Sequence, residues 1–494
     1  MKTKLLSMIL VILIICALAV SCGNAQSGTN ETTGVGNETG NAADTIANEL
    51  TAYDFLPKKT YNGEKFVVVT PETGTRYLPG QIITEEATGD IIMDAAYDRN
   101  RIVEEKFDVV IEHIPIASAN YYTNLKTNIM AGDSTYDLAA AFLRPLATLA
   151  VEPLFLDISK LPYIALEQPW YSQANDAMNI LGKQTLLFSD YTCITISCTY
   201  GMFYNYDLAE KYSVTGLQET AMAGGWTIDK LLGNIKGVTQ DVNGDGVLDE
   251  NDQFGIGFYG DLTAPTNDIG TVLQYGMGQF TTKTDSDGMP VLDVLTERNA
   301  TIVSKLNQLV WGGECYDRFK DNIENTMMFA QNQIMFFVCI IMHAPNYMRD
   351  MTDDYKVLPL PKFDETQREY YTTISQSSSF LYGFPITVKD PERNSVIFDA
   401  LSYEGYGNVI PAFFEISMKV KYSRDEISSQ MFDLLRFSTY IDFGLVFDGG
   451  MGMSTIMSLL LSKKSTDLAS EYAKLETRAV TQYQSVIDSM HSAG

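Results

Sequence analysis

The most specific chemical pattern in the chain is an acidic loop over residues 241–252, with the sequence DVNGDGVLDEND. Oxygen-bearing groups recur at the positions of a calcium-binding loop, and Gly246 stands at its sixth position, where the chain must turn sharply. The pattern predicts a bound Ca²⁺. The predicted ligands are the side chains of Asp241, Asn243, Asp245, Asp249 and Asp252 and the carbonyl oxygen of Val247.

Two features distinguish this loop from a complete helix–loop–helix calcium motif. Its last ligand is Asp252 and not a glutamate, which shortens the reach for two-oxygen binding, as dockerin loops tolerate. The following residues, 254–258, are typical of a strand and not of a second helix. We therefore expect a structural calcium ion. The alternative is a solvated turn of Asp, Asn and Gly residues.

Residue patterns for catalysis are poor by comparison. The three histidines, His113, His343 and His491, are far apart in the sequence and have no metalloprotease spacing. The chain has no GxSxG nucleophile motif, no P-loop and no strand-linked GxGxxG motif. Its 62 carboxylates are too many for the sequence to nominate a glycosidase pair. The sequence therefore predicts a protein that is not an enzyme.

The first residues are typical of an export signal. Lys2 and Lys4 precede an apolar run, Leu5–Val20, and small residues lead to Cys22. A run this short, ended by small residues, favours a cleaved signal peptide over a spanning helix. The junction resembles the lipobox of bacterial lipoproteins, in which the cysteine is lipidated, although Ala19 stands where leucine is usual. An ordinary signal peptide and an uncleaved anchor are the alternatives.

The residues after Cys22 favour a tether. Residues 23–40 are almost entirely Gly, Asn, Ser, Thr, Glu and Gln, with too little apolar surface to offset the entropy of ordering. We predict a signal peptide at 1–21 and a lipid-anchored flexible tether at 22–52. The expected location is the outer face of the cell membrane. The formal charge of −27 disfavours nucleic acid and anionic lipid as partners of the body that follows.

From Tyr53 onward the pattern is that of a large α/β protein. Strands at 65–70, 108–114 and 136–141 alternate with helices at 91–107 and 121–130, and Pro71 and Pro115 are expected to end the first two strands. Further strands are expected at 254–258, 334–341 and 355–360, and the C-terminal part is mostly helical. The length exceeds what one core normally supports, so two lobes are expected.

Four cysteines of this globular part, Cys193, Cys198, Cys315 and Cys339, have no disulfide-framework or metal spacing. Cys193 and Cys198 lie five residues apart in an apolar run that favours a strand, so they should face opposite ways and not form a disulfide. Buried free thiols are expected.

Several segments resemble the extracellular solute-binding lipoproteins of carbohydrate ABC importers, the maltose-binding-protein-like class. The most similar is GGWTIDKLLGNIKGVTQDVNGDGVLDENDQFG, residues 224–255, where many members have a Trp-Thr helix start followed by such a loop. AAYDRNRIVEEKFDVVIE (95–112), GMFYNYDLAEKY (201–212) and YKVLPLPKFDETQREYYT (355–372) follow the family's order. The residues around His343 lack the Gly-Pro-Trp of some members, so no stacking tryptophan is carried over.

The resemblance implies a two-lobed, type II periplasmic-binding-protein-like fold, with a solute in the cleft between lobes joined by hinge crossings. It implies a first lobe at 53–200, a second at 201–375, and a return to the first lobe with C-terminal helices at 376–494. The implied partners are a small solute, a mono- or oligosaccharide or else a peptide, and the subunits of an ABC permease. The candidate cleft residues are Arg144, Trp170, Tyr171, Tyr200, Tyr204 and Tyr382.

Each candidate aromatic residue has packing in a core as its alternative, and Trp226 and Trp311 are predicted to be packing residues. Two other classes of function stay open. One is a lipid-anchored polysaccharide-degrading enzyme, and the other is a calcium-dependent surface-binding module. The latter resembles a dockerin carrier, but a dockerin needs two tandem loops and this chain has one.

Overall fold

The computed structural model describes residues 52–72, 82–84, 86–318, 321–419 and 426–492. The elements below all belong to one compact unit, residues 51–494. The predicted signal peptide, Cys22 and all but the last residue of the predicted tether lie outside the described residues.

The strands of the described residues are short and mostly buried. In chain order they are β1 (Glu64–Glu72), β2 (Val109–Ala117), β3 (Leu138–Phe142), β4 (Tyr200–Asn205), β5 (Phe254–Phe258), β6 (Thr282–Thr284), β7 (Pro290–Leu292), β8 (Ile334–Ile340), β9 (Tyr355–Leu358) and β10 (Phe380–Gly383).

The helices occupy the connections and most of the C-terminal part. In chain order they are α1 (Ile91–Phe107), α2 (Ser118–Met130), α3 (Leu143–Leu149), α4 (Ile194–Ser197), α5 (Tyr206–Lys211), α6 (Leu217–Met222), α7 (Ile228–Ile235), α8 (Ile269–Gly276), α9 (Glu297–Trp311), α10 (Asn322–Ala330), α11 (His343–Tyr347), α12 (Pro391–Glu404), α13 (Ile410–Lys419), α14 (Glu426–Phe437), α15 (Phe443–Phe447), α16 (Ile456–Ser462) and α17 (Leu468–Ser492). A π-helical turn, Gly405–Val409, joins α12 to α13.

Local sequence explains where many elements begin and end. The Asp90 side chain caps α1 by accepting from the backbone N–H groups of Ile92 and Met93, and Asp108 ends it in a left-handed conformation. The predicted bounds of α1 and β5 are confirmed.

The prediction that Pro71 and Pro115 end their strands is wrong, because β1 and β2 continue to Glu72 and Ala117. β2 is an edge strand, and β1 pairs with β3 only at Val68 and Val69. Neither proline therefore removes a hydrogen bond that its sheet needs.

Two four-stranded sheets organise the unit. The first has the order β10-β3-β1-β2, with β1, β2 and β3 parallel and β10 antiparallel to β3. The second has the order β5-β8-β4-β9, with β4 antiparallel to both its neighbours and β5 parallel to β8. We call the regions built around them the first lobe and the second lobe. The predicted α/β class is confirmed.

Three short stretches, which we call the crossing segments, run side by side between the lobes: residues 198–200, 372–375 and 438–440. Backbone N–H groups of Tyr200 and Ser375 donate to the carbonyls of Thr373 and Cys198, both at 2.9 Å. The N–H groups of Thr372 and Tyr440 donate to Ser438 and Thr372, at 2.9 and 2.8 Å. The crossing segments therefore form a small hydrogen-bonded junction between the two sheets.

The C-terminal helices contact both lobes. α14 packs against β9 of the second lobe, whereas α15 packs against α3 of the first. α16 returns to α8, where Gly270 allows the two backbones to touch: a Cβ there would lie 2.3 Å from the Ser458 nitrogen. The predicted domain boundaries stay predictions.

The four cysteines of the globular part are buried free thiols, as predicted. The strand predicted around Cys193 and Cys198 is wrong, because residues 194–197 form α4 between them. This run is buried on all sides, and a uniformly apolar run has no periodicity that separates a strand from a buried helical turn. None of the described helices combines the length and apolar character needed to cross a membrane.

Candidate functional site

The two sheets each offer one edge at which strand ends carry polar or aromatic side chains. In the first lobe, β3 ends beside the start of β10, since Phe142 pairs with Phe380. Arg144 follows the end of β3, and Gln376 precedes β10. In the second lobe, the start of β4 at Tyr200 lies beside the end of β8, since Tyr200 pairs with Ile340. Ligands of α/β folds bind outside such strand ends.

Arg144 is held by Gln376 on the first-lobe edge. The Oε1 atom of Gln376 accepts from Nε of Arg144 at 3.2 Å and from Nη2 at 2.8 Å. Gln376 is buried, with 1% of its surface exposed, whereas Arg144 is partly exposed. The guanidinium therefore has a fixed orientation where β3 ends beside the start of β10.

Asp268 lies on the second-lobe side, just before α8. Burial raises the pKa of its carboxyl group, and both the Arg144 guanidinium and a hydrogen bond from the Tyr200 hydroxyl oppose that rise. The same hydroxyl also bonds to Ser375 of a crossing segment. The Arg144 guanidinium of the first lobe is thus near enough to the Asp268 carboxyl group of the second lobe to act on it electrostatically, next to the junction between the lobes.

Three rings lie beside this pair at the same edge of the second lobe, and we call them the aromatic group: Tyr259, His343 and Tyr347. The centroid of His343 lies 4.4 Å from that of Tyr259 and 5.0 Å from that of Tyr347. The Nδ1 atom of His343 is 2.9 Å from the Thr326 hydroxyl. Tyr259 lies close enough to Tyr200 to contribute to the raised pKa of that tyrosine, which is caused mainly by burial.

The sequence prediction missed Asp268, Gln376 and the aromatic group. Tyr259 directly follows the predicted strand 254–258, and His343 follows the predicted strand 334–341. Their place after strands was therefore a usable signal. Asp268 and Gln376 had none, because only the fold brings them to Arg144.

Of the six predicted cleft residues, Arg144 and Tyr200 both interact with Asp268. Tyr204 is buried in the second-lobe core, where its ring centroid lies 6.0 Å from that of Phe336. Tyr382 is fully buried in the first lobe, with its hydroxyl 2.8 Å from that of Thr192. Both rings therefore pack in the cores of their lobes, and a role for Tyr204 or Tyr382 in the cleft stays a prediction.

Trp170 and Tyr171 are buried as well, and the prediction that they line the cleft stays untested. Nε1 of Trp170 and the hydroxyl of Tyr171 both donate to Oδ1 of Asp399, at 3.0 and 2.8 Å. Burial raises the pKa of Asp399 to about 6, although these two hydrogen bonds oppose the rise. Because Asp399 belongs to α12, both hydrogen bonds hold that helix against the first lobe.

Trp226 and Trp311 behave as predicted. Trp226 is fully buried and donates from Nε1 to the Pro359 carbonyl at 3.0 Å. Trp311, the last residue of α9, is partly buried and donates to the Leu461 carbonyl at 3.0 Å.

The acidic loop is closed by a bridge between Gln240 and Gln253 and is followed by strand β5, as predicted. Its carboxylates accept from its own backbone: Asp241 from Gly244 and Gly246, at 2.6 and 2.8 Å, and Asp252 from Val242 at 2.9 Å. Among the described residues, no three His, Cys, Asp or Glu side chains are grouped closely enough to hold a metal ion. Calcium binding at the loop stays a prediction.

Comparison with known proteins agrees with this architecture. Residues 101–392, more than half of the chain, match the family described as bacterial extracellular solute-binding protein. The chain belongs to that family. No curated protein matches the sequence.

Solved structures similar to this chain share its fold at low sequence identity. The extracellular solute-binding protein from Staphylococcus aureus in complex with maltose has a TM-score of 0.56 and 13% identity, covering 87% of this chain and 100% of that one. The galacto-N-biose-/lacto-N-biose I-binding protein of the ABC transporter from Bifidobacterium longum, in complex with lacto-N-biose, has a TM-score of 0.55 and 12% identity, covering 86% and 98%. The cyclic alpha-maltosyl-1,6-maltose binding protein from Arthrobacter globiformis has a TM-score of 0.54 and 14% identity, covering 87% of this chain and 99% of that one. The two-lobed fold is confirmed.

The packing role of Trp170 and Tyr171 gives a pH-dependent prediction. In the folded protein the pKa of Asp399 is about 6, against an ordinary value of 3.8, so its contribution to stability is lost as pH rises from about 4 through 6. Asp399→Asn keeps an oxygen for both donors and cannot ionise. The gap of about two units corresponds to roughly 3 kcal/mol.

We therefore compare the unfolding free energy of Asp399→Asn with that of wild type, and we expect the difference between them to be roughly 2 kcal/mol larger at pH 8 than at pH 4, because the unfolded carboxyl group is already partly ionised at pH 4. Chemical denaturation at both pH values measures it. Burial also raises the pKa of Asp190 to about 6. Because Asp190 is present in both proteins, its contribution to the pH dependence cancels in the difference. Parallel pH profiles would contradict the assignment.

Proposed function

We propose that the protein captures a neutral oligosaccharide between its lobes, outside the cell, and delivers it to an ABC permease without chemically changing it. The observation that carries this proposal is the meeting of Arg144 and Gln376 of the first lobe with Asp268 and Tyr200 of the second. A solute held there would touch both lobes and so favour the state in which they are close.

The chemistry of this edge suits a sugar. Guanidinium, carboxamide, carboxylate and phenol groups together donate to and accept from hydroxyl groups. The rings of Tyr259 and Tyr347 offer flat faces for the apolar C–H patches of a pyranose, since mixed polar and aromatic linings are typical of small-molecule sites. The Arg144 guanidinium and the Asp268 carboxyl group act on each other electrostatically, which favours a neutral solute over a strongly charged one. The sugar-bound relatives from Staphylococcus aureus and Bifidobacterium longum support the same class.

The function is tested by thermal unfolding and small-angle scattering of the mature protein with maltose, maltotetraose and lacto-N-biose. One of these sugars should raise Tm as its concentration increases and should reduce the radius of gyration. At a concentration of one hundred times Kd it should add about 2.7 kcal/mol to the free energy of unfolding. Arg144→Ala and Asp268→Asn should weaken binding at least about tenfold, the scale of a lost charged hydrogen bond.

Trp170→Phe is the matched control. It should lower Tm, because Asp399 loses a donor, while leaving the Kd for the sugar unchanged. If the protein steadily released product from a glycoside, and one carboxylate substitution abolished that release, the proposal would be wrong and the protein would be an enzyme.

We also propose that the mature chain is anchored to the membrane through a lipid on Cys22, on the basis of the lipobox-like junction and the polar residues after it. The prediction is that wild type fractionates with membranes, whereas Cys22→Ser is released or stays an unprocessed precursor. Membrane fractions probed by immunoblot measure this. A correctly cleaved Cys22→Ser protein retained on membranes would contradict lipidation.

We further propose that the acidic loop binds a structural Ca²⁺, with ligands from Asp241, Asn243, Asp245, Val247, Asp249 and Asp252. An unfolded loop cannot gather these oxygens, so calcium should stabilise the folded state by mass action. Chelator should lower the Tm of wild type and leave the Tm of Asp241→Asn, Asp245→Asn unchanged. An unchanged wild-type Tm at neutral pH would reduce the loop to a turn.

A further inference from the structure

Gln376 holds an unusual position at the junction of the lobes. It directly follows the second crossing segment, and its backbone carbonyl accepts from the Arg144 N–H at 3.4 Å, while its side-chain oxygen accepts twice from the guanidinium. Three contacts thus join one buried residue to the cation of the cleft. Gln376 orients Arg144.

The other end of the same carboxamide has no such partner. A guanidinium only donates, so the oxygen of Gln376 must face Arg144 and its Nε2 must face away. Nε2 is shielded from solvent and makes no hydrogen bond to any described residue. A buried N–H group without an acceptor is destabilising, and such groups are rare in folded proteins.

A glutamine with a purely structural role in this protein differs. Gln367, also buried, donates from Nε2 to the carbonyls of Gly276 and Glu369, both at 2.9 Å, and accepts at Oε1 from the Phe363 N–H. Both ends of that carboxamide are used within the fold. The donor of Gln376 is the end that the fold leaves without an acceptor, and it lies beside the cation of the proposed site.

We propose that Gln376 is a specificity-determining residue of the cleft, and this inference rests on the proposed function. Its oxygen fixes the direction of Arg144, and its Nε2–H donates to an acceptor oxygen of the sugar once the lobes hold the sugar between them. A solute without an acceptor at that point leaves the donor unpaired and binds more weakly, since a site built for a hydrogen bond discriminates against analogues that lack it.

Two substitutions separate the roles of the two ends. Gln376→Glu keeps oxygen acceptors for Arg144, now charge-assisted, and removes the N–H donor. Gln376→Met has similar length and removes both. If the residue only positions Arg144, Gln376→Glu binds sugar like wild type. If the N–H contacts the sugar, Gln376→Glu binds about tenfold to a hundredfold more weakly, although its empty form is as stable as wild type.

The experiment uses the mature full-length protein and whichever of maltose, maltotetraose and lacto-N-biose raises the wild-type Tm most, with Kd from calorimetry. The expected order of affinity is wild type, then Gln376→Glu, then Gln376→Met. Gln184→Glu is the matched control: Gln184 is buried in the first lobe and its Nε2 already donates to the Leu186 carbonyl at 2.8 Å. The Gln184→Glu variant should be less stable than wild type, because this hydrogen bond is lost, and should bind the sugar with the wild-type Kd.

The outcomes are distinguishable. Equal Kd values for wild type and Gln376→Glu overturn the role of the N–H and leave the proposed function standing. If Gln184→Glu weakens binding as much as Gln376→Glu does, the effect is general and the inference is wrong. If none of the three sugars moves the wild-type Tm or radius of gyration, the proposed function fails for this class and the inference fails with it.

Discussion

The backbone hydrogen bonds among the three crossing segments are the interaction on which the rest of the structure depends. None of the described strands belongs to both sheets, and residues 198–200, 372–375 and 438–440 run between the sheets as neighbours that bond to each other. This junction fixes which edge of each sheet faces the other lobe. A few bonds between short segments resist twisting far less than a core does, so such a junction suits lobes that open and close.

The junction also explains why so many hydroxyl groups are buried near it. Thr372 donates from Oγ1 to the Tyr200 carbonyl at 2.6 Å, and Ser379 donates from Oγ to the Ser375 carbonyl at 2.7 Å. Short hydroxyl side chains satisfy nearby backbone groups and leave no charge to desolvate. The longer polar side chains are placed at the lobe edges instead, where Arg144 and Asp268 interact electrostatically.

Aromatic residues serve two purposes in this protein, and position decides which. Trp170, Tyr171 and Trp226 are buried, and each donates its polar atom to a group inside the protein: Asp399 for the first two and the Pro359 carbonyl for the third. Tyr259 and Tyr347 instead flank His343 beside strand ends. An abundance of tyrosine therefore says little about sugar binding until the fold shows which rings lie at an edge.

By itself the sequence determined the alternation of strands and helices, the bounds of α1 and β5 and the family, because these depend on local periodicity and motif order. It also nominated Arg144, after a strand, and Tyr200, near a crossing between the lobes, as cleft residues, and their role there stays a prediction. Only the tertiary structure decided that Arg99 and Asn100 of α1 are buried, where both donate to the Ile82 carbonyl, and that α4 interrupts an apolar run. The same holds for Asp268 and Gln376, which are far from Arg144 in the chain. Their meeting depends on how two lobes fold around three crossing segments, and no local pattern of residue types contains that information.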